Sequence, residues 1–175
     1  MMDFSKFKNL TIGGIDLKQL FVGGIQVWKA VSYTNQIPIS TDASGNVYNG
    51  KGYKDNTYVT GTGADDTKPN YDSTGYIPCK VGDVIRLKDC NFVKGDLNCV
   101  MNFFSAKGTN RIGQVQAHST WFTESEFKGV LDSNNHYVQF TIKSISGITA
   151  GMNYIRVTTA GLTSASVITI NEEIE

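Results

Sequence analysis

Along most of this chain apolar and polar residues alternate with a period of two, the spacing that turns successive side chains to opposite faces of a β-strand. His136 to Lys143 is the cleanest run: Val138, Phe140 and Ile142 fall on one face, and Tyr137, Gln139, Thr141 and Lys143 on the other. Val84 to Lys88 sets Ile85 and Leu87 against Val84, Arg86 and Lys88, the mark of a strand with one solvated face. Met152 to Thr158 and Ser166 to Asn171 alternate in the same way, and Ile112 to Ala117 is a further strand. Asn98 to Ser105 departs from the rule. Its near-continuous run of Cys99, Val100, Met101, Phe103 and Phe104 predicts a central strand covered on both faces. Val47-Tyr48 and Tyr58-Val59 read as short strands within a loop-rich stretch of turn residues from 40 to 75. Tyr33 to Ile39 reads as a short extended segment, since Pro38 disfavours the α region for Ile37. Thr123-Glu124-Ser125-Glu126 has capping-box form ahead of Phe127 and Val130-Leu131, and Phe4 and Phe7 suggest one further helical turn.

The start of the chain carries a duplication. Ile12-Gly13-Gly14-Ile15-Asp16-Leu17 is repeated ten residues on as Val22-Gly23-Gly24-Ile25-Gln26-Val27, ending at Trp28. Gly-Gly between short apolar runs is hairpin chemistry, because glycine reaches positive φ without a Cβ clash. An isolated two-stranded hairpin is marginal in water, so these strands need a surface to pack on. The candidate docking residues are Ile12, Ile15, Leu17, Phe21, Val22, Ile25, Val27 and Trp28. Many short strands, turn signals about every ten residues and almost no helical period predict an all-β fold. The expected architecture is an antiparallel β-sandwich or jelly roll over residues 31–175, preceded by an N-terminal β-hairpin arm over residues 1–30.

Composition narrows the function classes. The 175 residues suit one medium domain and a small appendage. Lys plus Arg and Asp plus Glu both number 16, so the formal net charge is zero and no clustered basic patch marks a nucleic-acid partner. No apolar run approaches the roughly 20 residues that span a bilayer, and the first residues lack a secretory core, so synthesis in a cytoplasm is expected. Cys79, Cys90 and Cys99 are odd in number and widely spaced, which predicts free thiols acting as small hydrophobes rather than disulfides or metal ligands. No metal or other cofactor is expected.

Catalytic motifs are missing. There is no G-x-S-x-G, no H-E-x-x-H, and Gly61-Thr62-Gly63 lacks the rest of a phosphate loop. Asp65-Asp66 and Asp72 could supply a glycosidase carboxylate pair, but a solvated turn is the preferred reading. Asp42-Ala43-Ser44-Gly45-Asn46 lacks the later bidentate Glu of a calcium loop and reads as a plain turn. Binding is the favoured activity. Tyr48, Tyr53, Tyr58, Tyr71 and Tyr76 crowd the loop-rich region among Asn, Asp and Gly, and Trp121 heads a second aromatic pair. Flat rings offer faces to sugar C–H groups, and planar amides and carboxylates bond hydroxyls. The candidate ligand-binding residues are Tyr48, Tyr53, Tyr58, Tyr71 and Trp121.

Three stretches carry a resemblance to a known group. They are the duplicated Gly-Gly hairpins ending in Val27-Trp28; Val47-Tyr48-Asn49-Gly50-Lys51-Gly52-Tyr53-Lys54 with Thr74-Gly75-Tyr76-Ile77-Pro78 and Gly82-Asp83; and Tyr154-Ile155-Arg156-Val157 with Ile168 to Ile174. Together they resemble the small virion structural proteins of tailed bacteriophages and prophages. The resemblance implies a non-enzymatic part of a tail, baseplate or decoration, located in the virion. It also implies a sandwich of carbohydrate-binding type and an arm that docks it to other virion proteins. Expected partners are other virion proteins, further copies of this chain and a host cell-surface glycan, with no nucleic acid and no membrane. A purely structural collar or decoration subunit is the alternative, and a glycan-degrading enzyme is a distant third.

Overall fold

The computed structural model describes residues 33–93, 95–117, 137–142 and 151–174, together with backbone strands at 11–12, 15–16, 19–22 and 25–29. The chain divides into two compact units: Met1–Tyr33 with Ile174–Glu175, and Thr34–Glu173.

In the first unit β1 (Thr11–Ile12) pairs antiparallel with β2 (Ile15–Asp16), and β3 (Gln19–Val22) with β4 (Ile25–Lys29). Each pair spans one Gly-Gly, so both halves of the duplication form hairpins as their chemistry requires. In the second hairpin Leu20 stands opposite Trp28 and Val22 opposite Ile25, with an irregularity that leaves Val27 as the extra residue. Leu17 lies outside the described residues.

The second unit is built from β5 (Tyr53–Lys54), β6 (Thr57–Val59), β7 (Asp65–Thr67), β8 (Asp72–Thr74), β9 (Ile77–Cys79), β10 (Val84–Lys88), β11 (Val100–Phe104), β12 (Arg111–Gln116), β13 (Val138–Thr141), β14 (Asn153–Thr159) and β15 (Val167–Ile170). A large sheet runs in the order β12-β11-β14-β8-β5, with β9 also paired to β14, and a small sheet runs β13-β10-β15. Every described pairing is antiparallel. The protein is therefore all-β, as the period-two pattern predicts.

The inner faces of the two sheets share one core, which makes the unit a sandwich. Ile85 and Leu87 of β10, Val138 and Phe140 of β13 and Ile168 of β15 meet Met101 and Phe103 of β11 and Ile155 and Val157 of β14. Each such side chain contributes roughly 1.5–3 kcal/mol when fully buried. β11 lies between β12 and β14 and is buried along its whole length, which explains its continuous apolar run.

Three local expectations are corrected. Ile37 to Ser40 is a turn, closed by the Ser40 N–H to the Ile37 carbonyl at 3.1 Å, not an extended segment. Pro38 occupies its second position, where a fixed φ is favourable. Val47 makes only an isolated bridge to Thr41, and Tyr48–Gly50 is a short 3-10 turn. Asn49 and Gly50 both take positive φ there, which breaks an extended chain. Arg86, assigned to a solvated face, is 7% exposed. The suggested helical segments at Thr123–Leu131 and Phe4–Phe7 lie outside the described residues.

The outer face of each sheet is covered. On the small sheet the chain folds back after β15, and Arg86 donates to Gln139 (2.9 Å), to the Glu172 carbonyl (3.1 Å) and to the Glu173 carboxylate. Beside it the Thr34 hydroxyl and backbone N–H both donate to the Glu172 carboxylate. The two ends of this unit, Thr34 and Glu173, thus lie side by side on the small sheet. On the large sheet the cover is the β6–β7 hairpin.

Candidate functional site

Alternation along β14 puts Ile155 and Val157 in the sandwich core and turns Tyr154, Arg156 and Thr158 outward. Asn102 of β11 stands beside Arg156, and Ser73 of β8 beside Thr158. This outer face is polar yet buried, with Asn102 and Thr158 both fully covered. The β6–β7 hairpin satisfies it. The Asn102 amide donates to the Val59 carbonyl (3.0 Å), and the Ser73 hydroxyl to the Thr57 carbonyl (2.7 Å). The only large apolar side chain that the hairpin buries is Val59, against Tyr76 and Phe104.

Arg156 is the centre of this layer. Its Nε donates to the Thr74 carbonyl (2.9 Å), Nη1 to the Gly63 carbonyl (2.8 Å) and Nη2 to Asp65 (2.8 Å). Its guanidinium also faces the rings of Tyr48 at 4.8 Å and Tyr76 at 5.1 Å. Burying a cation is costly unless its nitrogens are hydrogen-bonded and an anion is close, and here each of the three nitrogens has a partner and Asp65 supplies the anion. The other oxygen of Asp65 accepts the Tyr48 hydroxyl and lies 3.7 Å from Lys54. Burial and that hydrogen bond push the Tyr48 phenol well above its usual range, so Tyr48 stays neutral.

Gly63 makes this arrangement sterically feasible. It has φ +77°, and a Cβ there would lie 2.7 Å from the Tyr76 hydroxyl. Tyr76 itself is turned outward where β8 gives way to β9, and its hydroxyl accepts the Gly108 N–H at 3.0 Å.

Above these groups is a cleft of about 330 Å³. Tyr48, Tyr76, Gly63, Asp65 and Arg156 line its base, and Asp42, Ala43, Thr62, Ala64 and Gly108 complete the lining. That volume lies at the lower end of small-ligand sites, which run from roughly 300 to 1,000 Å³. Asp42 is fixed as an Asx turn, its Oδ1 accepting the N–H groups of Ser44 (2.8 Å) and Asn46 (3.0 Å). Asp65 is held as the partner of a fixed arginine and a fixed phenol, an arrangement suited to rigidity rather than to proton transfer. Among the described residues no group of three His, Cys, Asp or Glu side chains is placed to hold a metal ion.

The structure scatters the tyrosines that the sequence groups together. Tyr48 and Tyr76 line the cleft. Tyr53 is covered by the Lys51 ammonium, 4.1 Å from its ring centroid. Tyr58 and Tyr71 are not among the residues that line the cleft, and both have ring centroids within 6 Å of the Lys68 ammonium. Trp121 lies outside the described residues. Asp65 and Asp66 are on strand β7, not in a turn. Asp65 reaches Arg156, while Asp66 stands opposite Tyr58 in the register. Sequence reasoning missed Arg156, although a lone arginine amid Ile155, Val157 and threonines was a readable oddity.

No protein-family model, curated protein or solved structure matches this chain.

Proposed function

We propose that this chain is a structural protein of a tailed-phage particle. Its N-terminal hairpins dock it to other virion proteins, and its jelly-roll-like sandwich displays the cleft to a host-surface glycan. One observation carries the reading. The ends of the sandwich unit are pinned together on the outer face of the small sheet, by Thr34–Glu172 and Arg86–Glu173, while the cleft opens on the outer face of the large sheet. The sandwich core lies between those ends and the cleft. Tyr48, Tyr76, Asp65 and Arg156 hold one another in place, so a ligand meets a wall that needs no ordering, which reduces the entropic cost of binding. Backbone amides and carbonyls, Asp42 and Thr62 around that wall suit a hydroxyl-rich, uncharged sugar unit.

The test is a glycan array probed with the wild-type chain and with Ala43→Trp. Ala43 is exposed and lies in the cleft lining, so an indole added there takes up cleft space without removing any hydrogen bond of the Arg156 layer. Wild type is expected to bind a defined set of glycans, and Ala43→Trp to lose them with thermal stability unchanged. Absence of any glycan signal from wild type, or full retention by Ala43→Trp, contradicts the reading.

A further inference from the structure

A second surface on the same unit has a chemistry different from that of the cleft. Lys68-Pro69-Asn70-Tyr71 is a turn closed by the Tyr71 N–H to the Lys68 carbonyl at 3.3 Å, with Pro69 at its second position and Asn70 at φ +68°. Both residues fit the type II turn, so its shape is set locally. The turn is tied down on both sides. The Lys68 N–H donates to the Asn56 carbonyl (2.8 Å), and the Thr57 N–H to the Tyr71 carbonyl (2.7 Å). Tyr58 follows Thr57 on β6, where Thr57 and Val59 are buried toward the sheet and Tyr58 is directed the other way.

This frame puts the Lys68 ammonium 5.8 Å from the Tyr58 ring centroid and 5.7 Å from that of Tyr71. Tyr71 is fixed in turn, its hydroxyl donating to Asp96 (2.8 Å) and accepting from the Asn98 amide (3.2 Å). The hydrogen bond to Asp96 raises the Tyr71 phenol, which therefore stays neutral. Both rings are half-exposed. Among the described residues Lys68 has no carboxylate within ion-pair distance, whereas Lys51, Lys54, Arg86 and Arg156 each have one. The result, among the described residues, is a lysine on a fixed turn with no ion-pair carboxylate and two aromatic rings within 6 Å of its ammonium.

We infer that Tyr58, Lys68 and Tyr71 form a second carbohydrate-contact site, selective for a sugar unit bearing a carboxylate or a phosphate. A ring face takes the C–H side of the sugar, and Lys68 takes the anion. The inference rests on the reading that this sandwich meets carbohydrate, but at a surface separate from the cleft.

The experiment is calorimetric titration of the full chain with three probes: an oligogalacturonate, a glycerol-phosphate oligomer and a neutral galactose oligomer. At least one anionic probe is expected to bind, with an affinity that falls as salt rises, and the neutral oligomer is expected to bind this surface at least about tenfold more weakly. The two anionic arms distinguish carboxylate from phosphate recognition. Lys68→Gln and Tyr58→Ala are each expected to weaken the anionic probe by about tenfold, while Ala43→Trp leaves it unchanged. Absence of binding by both anionic probes, equal binding of the neutral one to the Ala43→Trp chain, indifference of the anionic probe to Lys68→Gln, or its loss on Ala43→Trp overturns the inference. Only the last of these moves the binding to the cleft, so the two sites fail distinguishably. A native-like circular dichroism spectrum for each variant excludes unfolding as the cause.

Discussion

Cys79, Cys90 and Cys99 are all buried free thiols, and burial pushes each of them up from 9.0 to about 12. The cause is desolvation: a thiolate has no water to hold it in the core. In the unfolded chain the same groups lose their protons first. Keeping them neutral therefore favours the native state fully below about pH 9, and that contribution is lost as pH rises toward 12, at about 1.4 kcal/mol per pH unit for each thiol. Urea midpoints are expected to fall steadily above about pH 9. At pH near 8 a thiol reagent is expected to label the native protein only as fast as it unfolds. Rapid labelling of all three sites in the native state at that pH contradicts this account. The cysteines were legible in the sequence, because odd number and wide spacing leave small hydrophobes as the simplest role. Arg86 and Arg156 were not. Alternation assumes that one face of a strand is wet, and here each outer face is covered by a segment far away in the chain. Asp65 is 91 residues from Arg156, and Glu173 is 87 from Arg86. No local pattern contains such a partner.

Among the elements the β6–β7 hairpin is held differently from the strands beneath it. Its attachment combines one buried valine with polar bonds, among them those to Asn102, Ser73, Thr158, Arg156, Tyr48 and the backbone of Tyr71 and Arg111. Losing Val59 costs roughly 1.5–3 kcal/mol, and each hydrogen bond adds about 1 kcal/mol net, because water takes over the freed groups. Opening this hairpin is therefore cheaper than separating the two sheets. Native-state hydrogen exchange is expected to show residues 57–67 opening below the global unfolding free energy, with β11 and β14 exchanging last. Asp65→Ala, which removes the Arg156 ion pair, is expected to speed hairpin exchange and leave the β13-β10-β15 sheet unaffected. Exchange of 57–67 only through global unfolding contradicts this. The same distinction explains which elements could be read in advance. β10, β13, β14 and β15 carry their own period-two pattern, and β11 its continuous apolar run, because each faces the core. Tyr33–Ile39 and Val47-Tyr48 were misread because hydrogen bonds, not apolar periodicity, shape them. The Ile37–Ser40 turn and the positive φ of Asn49 and Gly50 decide those segments.

For the whole molecule, the sandwich closes its own core between two sheets, whereas β1–β2 and β3–β4 each form a two-stranded sheet. Such ribbons are marginal alone. If they serve assembly, the intact chain is expected to form a discrete oligomer by light scattering. A chain beginning at Val31 is expected to be a folded monomer. Equal masses for the two would remove the arm from assembly. The cleft was only partly legible at this scale. Tyr48 and Tyr76 could be named from composition, but their convergence on Arg156 depends on β7 and β14 being brought together by the fold.

The pairing of Thr34 with Glu172 has one more consequence. The unit from 34 to 173 begins and ends at adjacent points, so its two ends occupy a narrow footprint. Another unit whose ends also lie together would keep the same separation between those two points. A tensile force applied through those two points would load the Thr34–Glu172 and Arg86–Glu173 contacts first and leave the sandwich core outside the line of pull.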